Sequence, residues 1–240
     1  MAKTKKTHTK ESDTGKQVIG ALAKISEVIT SDLYLEDILK LIVNVTAEAM
    51  GSKICSLMLL DKGGNELSVK ATQSVSERYN KKPNIKLGQG IASIVAKTGE
   101  PITSADVRKD ERYLSRDVAI KEKLCSLLCV PLIFKKRVIG VLNCYTAKPH
   151  RFTQNEISVI KSVANQAAIV IENFRLVIES KVIKEELEAR KIIEKAKGIL
   201  MKRENLSEQD AYQKIRKYSM DNRKSMREVS EAIVLSEEIK

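Results

Sequence analysis

Between Gln154 and Lys197 the chain has neither proline nor glycine, and apolar residues recur there at helical spacing. Globular helices average about 10–14 residues, so a helix several times longer must bridge two bodies or associate with another copy. Thr153-Gln154-Asn155-Glu156 precedes it with the pattern of a capping box, in which hydroxyl and carboxylate satisfy free helix N–H groups reciprocally. Within it, Ile171, Arg175, Ile178, Val182, Glu185, Ala189, Ile192, Ala196 and Ile199 alternate at spacings of four and three, with Arg175 and Glu185 as the polar defects. That spacing predicts a coiled-coil seam and a homodimer; the alternative is an amphipathic helix packed on its own domain.

Upstream, Val18, Leu22, Ile25 and Ile29 make one helical stripe, and Leu35, Ile38, Leu39, Ile42 and Val45 a second, closed by Gly51. Residues 53–60 and 66–72 read as strands around the turn Asp61-Lys62-Gly63-Gly64. Gly88-Gln89-Gly90 leads into a short helix over about 91–97, stopped by Gly99 and Pro101. Residues 105–123 read as a long loop with one helical turn. Residues 126–134 and 137–146 are apolar strands joined by Lys135-Lys136, a register that sets Cys129 opposite Leu142 and puts Cys129 and Cys144 on one face. This order predicts an α+β domain, an antiparallel sheet flanked by helices. Strand–helix alternation is missing, and Gly88-Gln89-Gly90 has neither the third glycine of a dinucleotide motif nor the Gly-Lys-Ser/Thr of a phosphate loop.

Beyond Gly198 the chain predicts a small three-helix module. Its first helix ends near Met201; Ser207 with Asp210 and Ser225 with Glu228 cap the next two. Ile193, Ala196, Leu200, Ala211, Ile215, Tyr218, Val229 and Ile233 are the expected core. Gly198 in a helix interior costs about 1 kcal/mol relative to alanine, which the close approach of another helix, or of an RNA backbone, would offset.

Composition narrows the function. The formal net charge is +12, and residues 190–227 hold twelve basic and five acidic side chains, a local field suited to phosphate. No run approaches the roughly 18 apolar residues of a membrane span. The basic stretch 1–16 lacks an apolar region after it and reads as a disordered tail rather than a secretory signal, so a cytoplasmic protein is expected. Four cysteines without a CxxC pair, and two histidines, predict neither disulfides nor a metal or haem site. The cysteines read as buried core residues, with a ligand-cavity or oxidant-sensing role as the alternative.

Several segments resemble the GAF family in order and spacing. They are Leu35-Glu36-Asp37-Ile38-Leu39, Ser56-Leu57-Met58-Leu59-Leu60-Asp61, Gly88-Gln89-Gly90-Ile91-Ala92, Thr98-Gly99-Glu100-Pro101, Val130-Pro131-Leu132, Val138-Ile139-Gly140-Val141-Leu142-Asn143 and Phe152-Thr153-Gln154-Asn155-Glu156. The resemblance implies a sensor domain over 17–178. Neither the Cys-His dipeptide of bilin-attaching relatives nor the pattern of cyclic-nucleotide binders is present, so the small-molecule effector and any cofactor stay unknown. Residues 189–201, with Ser207, Ala211-Tyr212, Ile215-Arg216 and Val229, resemble the ANTAR family of RNA-binding antitermination modules, which implies such a domain over 179–240. Ser219 and Ser230 stand where that family usually has alanine. The resemblance makes structured RNA, hairpin loops in nascent transcripts, the expected partner. It also makes Lys197, Arg216 and Arg227 the expected contacts, with Lys217, Lys224 and a stacking Tyr212 beside them. No catalytic residue is implied. The rival is a thiol-dependent methionine sulfoxide reductase on the same sensor fold, using strand-borne cysteines.

Overall fold

The structure is a computed structural model and describes residues 35–74, 76–80 and 82–239. The expected tail over 1–16 and the helix over 17–30 lie outside the described residues. The chain divides into two compact units, Met1–Phe174 and Arg175–Lys240.

Among the described residues the first unit begins with α1 (Leu35–Met50), followed by β1 (Ile54–Leu60) and β2 (Glu66–Thr72). A single turn, α2 (Glu77–Asn80), and a two-residue strand, β3 (Ile85–Lys86), lead to α3 (Gly90–Thr98), β4 (Ile102–Ser104) and α4 (Arg116–Lys121). Then come β5 (Leu127–Phe134), β6 (Arg137–Tyr145) and the long helix α5 (Gln154–Glu204). The six strands form one antiparallel sheet in the order β3-β2-β1-β6-β5-β4. The short strands β3 and β4 extend the four that periodicity reveals. Residues 105–123 hold the anticipated turn as α4.

Both faces of the sheet are covered, which is why β1 and β5 read as unbroken apolar runs rather than as alternations. On one face, Cys55, Leu57 and Leu59 of β1 pack with Ile42 and Val43 of α1 and Ile160, Ala164 and Ala168 of α5. On the other, Ile54 and Met58 pack with Ile91 and Val95 of α3 and with Val107, Tyr113 and Leu124 from the loops. β6 runs against β1 at Gly140, where an added Cβ would stand 2.2 Å from the Met58 carbonyl oxygen, so only glycine fits. The capping box at the start of α5 is present: Glu156 N–H donates to Thr153 Oγ1 at 3.2 Å, and Thr153 N–H to Glu156 Oε2 at 2.7 Å.

The hairpin β5–β6 corrects one expectation. Lys135 and Lys136 do form a two-residue turn with both φ positive, at 45° and 66°, and Phe134 faces Arg137. A bulge between Leu132 and Ile133 then gives β6 one extra residue. Past it Cys129 faces Asn143, not Leu142, and Cys129 and Cys144 pack in the cores on opposite faces of the sheet. One inserted residue turns every later side chain over.

The second unit is built from the C-terminal part of α5, α6 (Glu208–Asp221) and α7 (Met226–Glu238). Ser207 caps α6, accepting from Asp210 N–H, and Ser225 caps α7 in a full capping box with Glu228. Ala196, Leu200, Ala211, Ile215 and Val229 form the core, with Leu206, Met226, Ile233 and Val234 packed against it. Tyr218 was expected there and is instead 58% exposed. It sits three residues after Ile215, at the margin of the buried stripe.

Candidate functional site

The basic side chains of the second unit differ sharply in how far they are committed. Glu208, Tyr212 and Arg216 follow one another at four-residue intervals and so form one row along α6, beside the buried positions Ala211 and Ile215. Lys197 meets the head of this row. Its ammonium donates to Glu208 Oε1 at 2.7 Å and to the two Glu194 oxygens at 2.9 and 3.0 Å, and its side chain is only 8% exposed. The two carboxylates, Glu208 first, hold its pKa above the ordinary lysine value. Lys197 thus anchors α6 to α5 and does not project outward with the others.

Tyr212 is 39% exposed, and Arg216 and Lys217 are exposed with no ion pair among the described residues. Lys224 is exposed, 3.8 Å from Glu228. Arg227, in the first turn of α7, is half-buried, and its Nε donates to Glu231 Oε1 at 2.8 Å. Glu231 raises its pKa, and Glu188 and Glu185 add to this. Of the five basic residues expected as contacts, Arg216 and Lys217 are therefore the two outside any ion pair among the described residues. Periodicity shows which residues face outward, but not which of them a distant carboxylate has already engaged.

At Gly198 the expected helix packing is absent from the described chain: an added Cβ would find no atom within 4 Å. The glycine instead lies in a groove with Lys195, Ile199, Lys202 and Arg203. Along α5, two seam residues are used inside the chain, since Ile171 and Ala196 are fully buried in the cores of their own units. Between them Leu176, Ile178, Val182, Ile183 and Leu187 stay exposed.

All four cysteines are buried and free. Cys55 and Cys144 are partners across β1 and β6, with their sulfurs 3.3 Å apart. The contact with Cys55 and burial both push the Cys144 thiol up, and burial does the same to Cys129, so neither is disposed to ionise. No group of three histidine, cysteine, aspartate or glutamate residues suited to a metal occurs among the described residues, and none of their helices is long and apolar enough to cross a membrane.

Comparison with known proteins agrees with this two-part reading. A GAF domain model matches residues 33–172 and an ANTAR domain model residues 182–234. The GAF domain of a phosphoenolpyruvate-protein phosphotransferase from Coxiella burnetii superposes with a TM-score of 0.59 at 27% identity, covering 67% of this chain and 96% of that one. A methyl sulfide methyltransferase-associated sensor from Methanosarcina acetivorans is 27% identical over 172 residues, 70% of this chain and 17% of its own. A nitrate regulatory protein from Klebsiella oxytoca is 42% identical over 52 residues, 22% of this chain and 13% of its own. The chain spans about a fifth of the length of the first curated relatives it matches. With an α+β sheet domain followed by a capped three-helix module, and with both models matching in that order, the chain belongs to the GAF domain family and carries an ANTAR domain behind it.

Proposed function

We propose that the protein is a signal-responsive antitermination regulator: its GAF domain senses an effector and its ANTAR domain binds hairpin RNA. The observation that carries the reading is the pairing of these two domains in one chain, and the regulators among its relatives support it. Arg216 and Lys217 contact phosphate or an unpaired base, Tyr212 stacks one turn away, and Lys224 and Arg227 extend the basic surface at the start of α7. Lys197 serves by holding Glu208 and the head of that row. The exposed apolar residues between Leu176 and Leu187 pair with a second copy, making a homodimer whose long helix carries the signal. RNA bound in this way stabilises hairpin loops that compete with a terminator, and no bond is made or broken by the protein. The burial of all four cysteines supports a non-enzymatic role over thiol-dependent turnover.

Fluorescence anisotropy with a labelled hairpin RNA and a loop-mutated control, titrated with salt, tests this. Arg216→Ala is expected to weaken binding. A lost phosphate contact lowers the salt slope by about one unit, and a lost base contact costs about 1–3 kcal/mol and relaxes loop preference. Wild-type affinity in Arg216→Ala, Lys217→Ala and Arg227→Ala, and in their combination, refutes the assignment.

A further inference from the structure

The GAF domain has a partly open cavity of about 40 Å³ between the α3-side face of the sheet, the N-terminus of α3 and the loop before α4. Its polar lining comes from widely separated segments. Ser56 and Asn143 face each other across β1 and β6, and Ser56 Oγ lies 2.9 Å from the Tyr79 hydroxyl. The Tyr113 hydroxyl donates to that of Tyr145 at 3.2 Å, and Lys82 Nζ donates to Tyr113 at 3.1 Å. The same ammonium lies 3.8 Å from the centre of the Tyr79 ring. No aspartate or glutamate lines the cavity, and Lys82 makes no ion pair among the described residues.

A partly buried lysine without a counter-charge is costly, and its ordinary partner would be a carboxylate. Here burial lowers its pKa to about 8, against the longer-range pull of Asp117 and Glu122. Gly90, Ile91 and Ala92 also line the cavity, and the helix they open has no side-chain cap on its first turn, so the positive end of α3 faces the same space. Ammonium, phenol, hydroxyl and amide groups thus converge on a space that no carboxylate lines among the described residues. Its size admits roughly three water-sized atoms.

We propose that this cavity binds a small oxyanion of three or four non-hydrogen atoms, with Lys82 as its charged anchor and with the Tyr113 hydroxyl turning its proton from Tyr145 to the anion. The inference rests on reading the domain as the sensor, and it gives the effector a chemical class. The shared chemistry is a compact group with two or more oxygens sharing one negative charge. Small carboxylates and nitrogen oxyanions both have it, and the two are separated by assay.

The test is isothermal titration of the full chain with sodium formate, acetate, nitrite and nitrate, against sodium chloride at matched ionic strength. At least one oxyanion is expected to bind saturably, one per chain, and to raise the thermal midpoint where chloride does not. The carboxylate and nitrogen-oxyanion arms identify the source. Lys82→Met is expected to lower affinity at least tenfold, and Tyr113→Phe, which keeps the ring, several-fold. The proposal is overturned if none of the four exceeds chloride on the wild-type protein, or if both variants bind as the wild type does. The wild-type arm keeps it refutable even if a variant fails to fold. Hairpin-RNA affinity measured with and without the bound anion tests the sensor reading separately: unchanged RNA affinity beside Lys82-dependent anion binding supports the site and refutes its role as the sensor input.

Discussion

Replacing Lys82 by methionine should make the ligand-free protein more stable while removing its anion response. Burial holds the Lys82 pKa near 8, well below the ordinary 10.5. That gap corresponds to about 3 kcal/mol of penalty for keeping the ammonium charged in the folded state. The ammonium over Tyr79 returns about 1 kcal/mol of this and its hydrogen bond to Tyr113 about 1 kcal/mol more, and methionine fills much of the same volume, so a net gain of about 1 kcal/mol is expected at pH 7. The pH dependence has a definite sign. The unfolded chain holds this proton more tightly than the folded one, so the Lys82 contribution to wild-type stability rises as pH climbs from about 8 towards 10.5. Below about 8 the penalty is present in full. The advantage of Lys82→Met is therefore greatest and flat below pH 8, and shrinks above it. The titratable groups facing Lys82 are Tyr79, Tyr113 and Tyr145, all raised by burial, Tyr113 to about 12; from their unfolded value of 10.0 upward they lower stability, in wild type and variant alike, and so drop out of the difference, while Asp117 and Glu122 act from further away. Urea unfolding followed by circular dichroism at pH 7 and 9.5 reads the difference from the midpoints at constant slope. A variant less stable than wild type at pH 7, or a difference that ignores pH, would refute the reasoning.

Other expectations concern packing and assembly. Gly140→Ala drives a methyl group into the Met58 carbonyl and should cost about 3 kcal/mol, seen as a lower thermal midpoint; a variant as stable as wild type means that β1 and β6 separate more easily than their pairing implies. Ser225→Ala removes the cap of α7 and should cost about 1 kcal/mol, read in the unfolding midpoint of the ANTAR domain. Val182→Lys with Ile192→Lys should yield monomers by light scattering; a folded double variant that stays dimeric places the interface elsewhere. Replacing Cys55 and Cys144 by alanine should lower stability and leave RNA affinity in reducing buffer unchanged, so a selective loss of affinity would favour a thiol switch.

Much of the architecture was legible from local pattern. The Thr153–Glu156 and Ser225–Glu228 boxes, the reach of α5 and the Lys135-Lys136 turn depend on residues within a few positions of one another, and each formed where its spacing placed it. The short strands β3 and β4 carry too few residues to show a period, and only their pairing with β2 and β5 reveals them.

The sequence by itself determined the long elements, the caps of α5, α6 and α7, and the buried stripe of α6 at Ala211 and Ile215. Tertiary structure alone decided which residues answer one another across the chain. The bulge in β5–β6 sent Cys129 and Cys144 to opposite faces, and Glu208 engaged Lys197. Folding also gathered Ser56, Lys82, Tyr113 and Asn143 around one small space that no described carboxylate lines. Helical and strand periods are set by backbone geometry repeating over neighbouring residues. Register, ion pairing and cavities depend on contacts between segments far apart in the chain, and no local spacing encodes them.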